Sequence, residues 1–146
     1  MADKKTIKFE IVTPASTVLS KEIIQVTVPT QDGEITILPE HIPLVSILRP
    51  GVLEIKTVDQ EMEIISVSGG FLEVLRDKVV ILADAAERAE DLDEERIVAA
   101  KAKAEAAKIE ALNHEDYDLS AVSVKLEVAL ARERALHKWR KLKNVK

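Results

Sequence analysis

The chain has 146 residues, enough for one full hydrophobic core or for a small domain with an appendage, but not for two large domains. Apolar residues make up 47% and exclude wholesale disorder, while 32% are charged and no run approaches the ~18 apolar residues of a membrane-spanning helix. There is no cysteine, which excludes disulfides, thiolate nucleophiles and zinc–thiolate sites.

Charge is distributed unevenly along the chain. Residues 1–84 carry a net charge of −5, residues 85–118 carry −6, and residues 119–146 carry +6. The basic segment can therefore pair with acidic segments of the same chain or approach an acidic partner, and the sequence leaves both open. Nucleic acid is not the expected partner, because the basic segment has no aromatic series and the whole chain is acidic.

All four glycines and all five prolines lie within the first 70 residues. Glycine and proline mark turns and interrupt regular structure, so the first half is expected to be compact and rich in turns. The remaining residues contain neither, which favours long uninterrupted helices. The two halves therefore predict two different kinds of structure.

Short apolar runs in the first half show the two-residue period of half-buried strands. In one of them Ile24, Val26 and Val28 alternate with polar residues and are expected to face inward together. The predicted strands cover residues 7–11, 24–28, 35–37, 44–48, 52–58, 61–67, 71–76 and 78–82. So many short strands predict a β sandwich or flattened barrel over residues 1–84, because a single open sheet would leave one apolar face wet.

The second half predicts helices. An alanine-rich segment follows a start at Asp91 or Asp93, either of which can cap the helix, with Glu94 and Glu95 in the first turn. A polar break at 113–118 precedes a second helix over about 119–142. The predicted class is therefore α+β: a β domain at 1–84, a hinge at 85–92 and an antiparallel two-helix hairpin at 93–146.

The second helix has two apolar stripes on roughly opposite faces. One stripe consists of Leu119, Val122, Leu126, Ala129, Leu130 and Leu136. The other consists of Val124, Val128, Ala131, Ala135, Trp139 and Leu142. The first helix can cover only one stripe, so the other is expected to pack on the β domain or on another protein.

Nothing in the sequence predicts catalysis. His41, His114 and His137 lie in three separate segments without a second ligand at metal-binding spacing, so no metal site is expected. The carboxylates from Glu90 to Glu95 fit a solvated helix start better than a general acid and base pair. No glycine-rich phosphate loop or nucleophile elbow is present.

Two motifs resemble a known family, the epsilon subunit of F-type ATP synthases. Residues 38–44, Leu-Pro-Glu-His-Ile-Pro-Leu, resemble its L-P-x-H-x-P-L loop, and residues 67–74, Val-Ser-Gly-Gly-Phe-Leu-Glu-Val, resemble its G-G-F-x-E-V strand. Residues 83–88 are similar to its junction between sheet and helix. The resemblance covers essentially the whole chain and implies a non-catalytic subunit with a β sandwich followed by a helical hairpin.

The resemblance implies a place in the central stalk of a rotary proton-translocating enzyme, on the cytoplasmic face of the cell membrane as a peripheral subunit without membrane insertion. The β domain would bind the gamma subunit and the c-subunit ring, with interface residues Glu34, Pro39, His41 and Pro43. The hairpin would fold on the β domain or extend toward the alpha and beta catalytic head and inhibit ATP hydrolysis. The inhibitory arm would include Arg132, Arg134, Lys138 and Trp139.

Some bacterial members of this family bind ATP as a regulatory ligand through an I/L-D-x-x-R-A motif. Here Leu92, Asp93 and Arg96 match the motif, Ile97 replaces its alanine, and Glu87 and Arg132 match two further positions. Lys103 and Leu136 stand where strong binders are expected to carry arginines, which predicts weak binding or none. The other interpretation of Asp93 and Arg96 is a helix cap with an i,i+3 pair.

A different class of protein also fits the domain pattern. It is a freestanding β-domain binding module whose helical hairpin associates with itself. A stable complex with a gamma-type subunit distinguishes the stalk subunit from this alternative.

Overall fold

The strands of the first half pair into one continuous sheet that folds into a β sandwich, in a computed structural model that describes residues 5–115 and 118–144. Part of the predicted break at 113–118 and the ends of the predicted domains therefore lie outside the described residues. The strands are β1 (Ile7–Val12), β2 (Thr17–Thr30), β3 (Gly33–Ile37), β4 (Leu44–Leu48), β5 (Gly51–Thr57), β6 (Met62–Val67), β7 (Gly70–Val74), β8 (Lys78–Ala83) and β9 (Ala86–Arg88).

The sheet order is β1-β8-β7-β4-β2-β5-β6-β9, with β3 paired to β2. β1 pairs with β8 in parallel and with β2 in antiparallel orientation, so the pairings run in a closed path through β8, β7, β4 and β2. The single bridge Thr30↔Leu48 joins β2 to β4. The predicted sandwich or flattened barrel is confirmed.

Aliphatic side chains and one phenylalanine fill the interior of the sandwich. Its largest fully buried side chains include Phe9, Ile11, Ile23, Val26, Ile37, Leu53, Ile55, Ile65, Leu72 and Ile81. Burial alternates along β1, as the two-residue period predicts. The β domain therefore has its own core, separate from the hairpin.

β2 differs from the prediction in length and in register. It spans 14 residues rather than five, because its first half pairs with β1 and its second half with β3 and β5. The register against β5 shifts between Ile23 and Gln25, so Ile23 is buried with Val26 and Val28 while Ile24 is only half-buried. The prediction that Ile24 points inward was wrong, because the irregularity in the β2–β5 register takes one residue out of the two-residue alternation.

The segment 85–92, predicted as a hinge, contains regular structure. β9 pairs with β6, and the 3₁₀ helix Ala89–Asp91 follows it. Ala89 is completely buried. These residues are anchored to the sheet in this conformation, and bending at 85–92 stays a prediction.

The second half forms the two expected helices, α1 (Glu94–Leu112) and α2 (Leu119–Lys143). Asp93 caps α1 by accepting a hydrogen bond from the Glu95 N–H, and Asp118 caps α2 by accepting from the N–H groups of Ser120 and Ala121. Of the two predicted cap residues for the first helix, Asp93 is the one used, and the predicted helix limits agree with the structure to within about one residue.

Candidate functional site

The hairpin packs on the β domain through the second apolar stripe of α2. Ala131 and Ala135 are fully buried, and Ala135 lies in a small apolar cluster with Val52, Ile64 and Ala89. Leu92 and Trp139 pack against this cluster. The expectation that one stripe faces the β domain is thus confirmed for the middle of α2. Val124 and Leu142, at the ends of the stripe, are about half exposed, so the prediction that the whole stripe is covered was wrong.

Two ion pairs add to this junction. Arg132 of α2 lies 2.7 Å from Glu87 of β9, and Lys138 lies 3.3 Å from Glu54 of β5. All four side chains are partly exposed, so each pair contributes modestly to stability. The basic segment therefore pairs with acidic residues of the same chain, which was one of the two alternatives that its charge left open.

The two helices are joined by further ion pairs. Lys101 pairs with Glu133 at 3.1 Å, and Arg140 donates to Glu94 at 2.8 Å. Arg140 follows Glu133 on α2, whereas its partner Glu94 precedes Lys101 on α1. The two helices therefore run antiparallel. The hydrogen bond and charge of Arg140 lower the pKa of the Glu94 carboxyl, and the bond to Glu94 raises the pKa of Arg140.

A groove of about 360 Å³ lies between α1 and α2. Alanines and valines form most of its lining, with three cations, Lys103, Lys125 and Arg132, and no carboxylate. An apolar surface beside three cations suits an anion that also carries an apolar group. Lys125 was not predicted as a site residue, although its position on the border of an apolar stripe was a usable signal.

The five residues predicted to bind nucleotide are not brought together in one site. Glu87 and Arg132 form one ion pair, and Arg132 also lines the groove. Asp93 caps α1, and Arg96 lies 3.9 Å from it with its side chain 90% exposed. Leu92 packs on the apolar cluster at the junction. Of these five residues, Arg132 is the one that lines the groove, and the cap interpretation of Asp93 and Arg96 matches their geometry.

The predicted interface residues lie on two parts of the β domain. Pro39, His41 and Pro43 belong to the loop between β3 and β4, where the N–H of His41 donates to the Leu38 carbonyl and Glu40 has a φ of 67°. The His41 Nδ1 lies 2.7 Å from the Ile42 carbonyl oxygen. Glu34 instead lines a cavity together with Arg134 and Lys138 of α2.

An exposed apolar row crosses three neighbouring strands and was not predicted. Ile47, Phe71 and Leu82 are directly aligned across β4, β7 and β8 and are 50%, 54% and 46% exposed. Val45, 72% exposed, lies two residues before Ile47 on the same strand. The signal was present in β4 and β8, where successive apolar residues occupy both faces instead of alternating with polar ones.

The described residues contain no cluster of acidic, histidine or cysteine side chains able to hold a metal ion. Within the same residues, neither helix combines the length and the hydropathy needed to cross a membrane.

Comparison with known proteins identifies the family. Residues 6–89 match the model of the "ATP synthase, Delta/Epsilon chain, beta-sandwich domain". The ATP synthase epsilon chain of Chloroflexus aggregans is 43% identical over 132 residues, which cover 90% of this chain and 94% of that one. The chain belongs to the ATP synthase delta/epsilon family. The epsilon chain of Desulforamulus reducens is 48% identical over 101 residues, covering 69% of this chain and 76% of the relative.

Solved structures agree with this assignment. The epsilon-family fold matches a chain in the Euglena gracilis mitochondrial ATP synthase OSCP/F1/c-ring structure, with a TM-score of 0.76, 26% identity and coverage of 90% of this chain and 82% of that one. A chain of the Tetrahymena thermophila mitochondrial enzyme shares the fold, with a TM-score of 0.63 and 16% identity over 92% and 99% of the two chains. The resemblance drawn from the two motifs is confirmed, as is a non-catalytic subunit of ATP synthase.

Proposed function

We propose that this epsilon-family chain works in the central stalk of an F-type ATP synthase, where its β domain binds the gamma subunit and the c ring and thereby couples proton flow to ATP synthesis. The observation that carries this role beyond family membership is the apolar row of Ile47, Phe71 and Leu82. Such a contiguous apolar surface on a sheet is favoured at protein interfaces.

We assign the apolar row to the gamma subunit and the loop containing Pro39, His41 and Pro43, together with Glu34, to the rest of the stalk and ring interface. A flat sheet face buries large side chains against a rigid partner without reorganising its own backbone. The loop leads directly into β4, the strand that carries Ile47 of the row. The working location is the cytoplasmic face of the cell membrane, reached by assembly with the ring rather than by insertion.

Co-purification with a gamma-type subunit tests the coupling role. Phe71→Glu should weaken the complex at least tenfold, because a charge replaces a central apolar contact. Val98→Glu is the matched control, since Val98 is 58% exposed on α1 and lies away from the row. If the chain associates with itself and does not bind a gamma-type subunit, the stalk role is wrong and the freestanding binding module is the better interpretation.

The hairpin is proposed to regulate ATP hydrolysis by leaving the β domain and extending toward the catalytic head. Its junction suits a two-state element, because the buried cluster is small, with Val52, Ile64, Ala89 and Ala135 at its centre, and the ion pairs are partly exposed. The exchange would release the basic residues Arg132 and Lys138 from their partners. Arg134, which is already exposed, and Trp139 complete the proposed inhibitory arm.

Truncation after Asp91 tests this role in the assembled enzyme. That end point keeps β9 and the buried Ala89, which belong structurally to the β domain. The inhibitory role predicts faster ATP hydrolysis by the truncated enzyme than by the full-length one. An unchanged rate would leave only the coupling role.

We propose the groove between α1 and α2 as the place where ATP would act as a regulatory ligand. Lys103, Lys125 and Arg132 supply the positive charge, while Arg96 points to solvent. Calorimetric titration of the full chain with ATP should therefore show weaker binding for Lys125→Gln and unchanged binding for Arg96→Ala. Equal loss in both variants would restore Arg96 to the site.

A further inference from the structure

A second cavity spans the junction between the β domain and the hairpin. It has a volume of about 380 Å³ and lies where the β2–β3 and β4–β5 turns face α2. The β domain contributes Arg49 and Glu34 to its charged lining, and α2 contributes Arg134, Lys138 and Glu127. Any occupant of this cavity contacts both parts of the molecule at once.

Two guanidinium groups in this cavity form no ion pair with a carboxylate of the described residues. Among residues 5–115 and 118–144, neither Arg49 nor Arg134 forms an ion pair, whereas Lys138 in the same cavity pairs with Glu54. Glu34 and Glu127 line the cavity as well, and within the described residues neither of them forms an ion pair. One unpaired guanidinium therefore comes from each side of the junction.

We propose that Arg49 and Arg134 together bind a phosphate group that holds α2 against the β domain. A guanidinium presents a planar fork of N–H donors that matches phosphate oxygens, and two such groups can engage different oxygens of one phosphate. Arg49 lies on the β domain and Arg134 on α2, so the two line one cavity only when the hairpin is folded. A bound phosphate therefore shifts the equilibrium toward the folded hairpin.

This site is separate from the groove between the helices, because the two cavities have no lining residue in common. It depends neither on the proposed central-stalk role nor on ATP binding. The carboxylates of Glu34 and Glu127 oppose an anion and limit its affinity. Removing one of them should therefore change phosphate binding in the opposite direction from removing an arginine.

The first experiment titrates the full chain with sodium phosphate while chloride keeps the ionic strength constant. Fluorescence of Trp139, the single tryptophan, reports hairpin docking, and the thermal midpoint reports stability. Phosphate should raise the midpoint, and Arg49→Gln or Arg134→Gln should weaken its apparent affinity about ten- to a hundredfold. Glu127→Gln should strengthen it, and Arg76→Gln, at an exposed turn outside the cavity, should leave it unchanged.

A second experiment distinguishes free phosphate from a lipid headgroup. The chain is sedimented with vesicles of phosphatidylglycerol and phosphatidylcholine, and with vesicles of phosphatidylcholine alone. A response to sodium phosphate that Arg134→Gln abolishes assigns the site to free phosphate. Sedimentation that needs phosphatidylglycerol and that Arg134→Gln abolishes assigns it to a headgroup. A response to neither probe, or an equal response from folded Arg134→Gln protein, would overturn the proposal.

Discussion

Gly70 occupies a position at the start of β7 that no larger residue fits. Its φ is +136°, and a Cβ atom there would lie 2.0 Å from the Leu82 carbonyl oxygen and 2.9 Å from the Ala83 Cα. The backbone of β8 therefore approaches β7 too closely for a side chain. The last glycine of the chain is fixed by both conformation and contact.

Gly70→Ala is expected to destabilise the protein by about 3 kcal/mol or more, because backbone strain and overpacking add. Gly33→Ala is the matched control, since Gly33 has a φ of +120° but no atom within 4 Å of its added Cβ. The measurement is the free energy of unfolding in urea. Equal losses for the two variants would show that strain alone, without the contact, governs Gly70.

The Glu94–Arg140 pair makes the stability of the hairpin depend on pH. Its hydrogen bond lowers the pKa of Glu94 in the folded state, so the pair stabilises the fold above the unfolded pKa of Glu94. That contribution is lost as the pH falls through the lowered folded pKa. The free energy of unfolding of wild type should exceed that of Arg140→Gln at neutral pH, and the difference should shrink in acid. A difference that does not change with pH would contradict this role of the pair.

At the scale of elements, two small residues lie at the contact between α2 and the β domain. Ala135 of α2 and Ala89 of the 3₁₀ helix are both fully buried in the cluster at the junction. The helix axis can approach the sheet closely because alanine side chains are short. Size at these two positions therefore decides whether the hairpin docks.

Ala135→Leu is expected to weaken docking by about 1–3 kcal/mol through overpacking, while the separate core of the β domain stays intact. Ala106→Leu is the control, because Ala106 is exposed on α1. Amide hydrogen exchange, resolved for each strand and helix, should be faster in β6 and the 3₁₀ helix for Ala135→Leu but not for Ala106→Leu. Uniformly faster exchange throughout the sandwich would mean that the hairpin and β domain unfold together.

At the scale of the whole molecule, Glu87 and Arg132 connect the β domain to the hairpin across 45 positions of sequence. A double-mutant cycle with Glu87→Gln and Arg132→Gln should give a coupling energy of about 0.5–1 kcal/mol, because both side chains are partly exposed. The coupling should decrease at high salt, where exposed charges are screened. A coupling energy of zero at low salt would remove this pair from the forces that keep the hairpin folded.

The candidate site was predictable only in part. The cap at Asp93 and the burial of Ala131 and Ala135 in the second stripe of α2 were predictable from local sequence, and both appear in the fold. The partners of Arg132 and Lys138 could not be predicted, because they depend on which strands lie beside α2. The groove could not be predicted because it depends on how α1 and α2 pack against each other. The apolar row was missed because strands apolar on both faces resemble fully buried ones.

The sequence by itself determined the division into a half with strands and a half with helices, the helix limits and the family. Turn residues, caps and motifs act over a few neighbouring positions. Tertiary structure decided the 14-residue length of β2, the pairing of β9 with β6 and the alignment of Ile47, Phe71 and Leu82. Each of these depends on pairing between distant segments, and local propensity carries no information about which strands become neighbours.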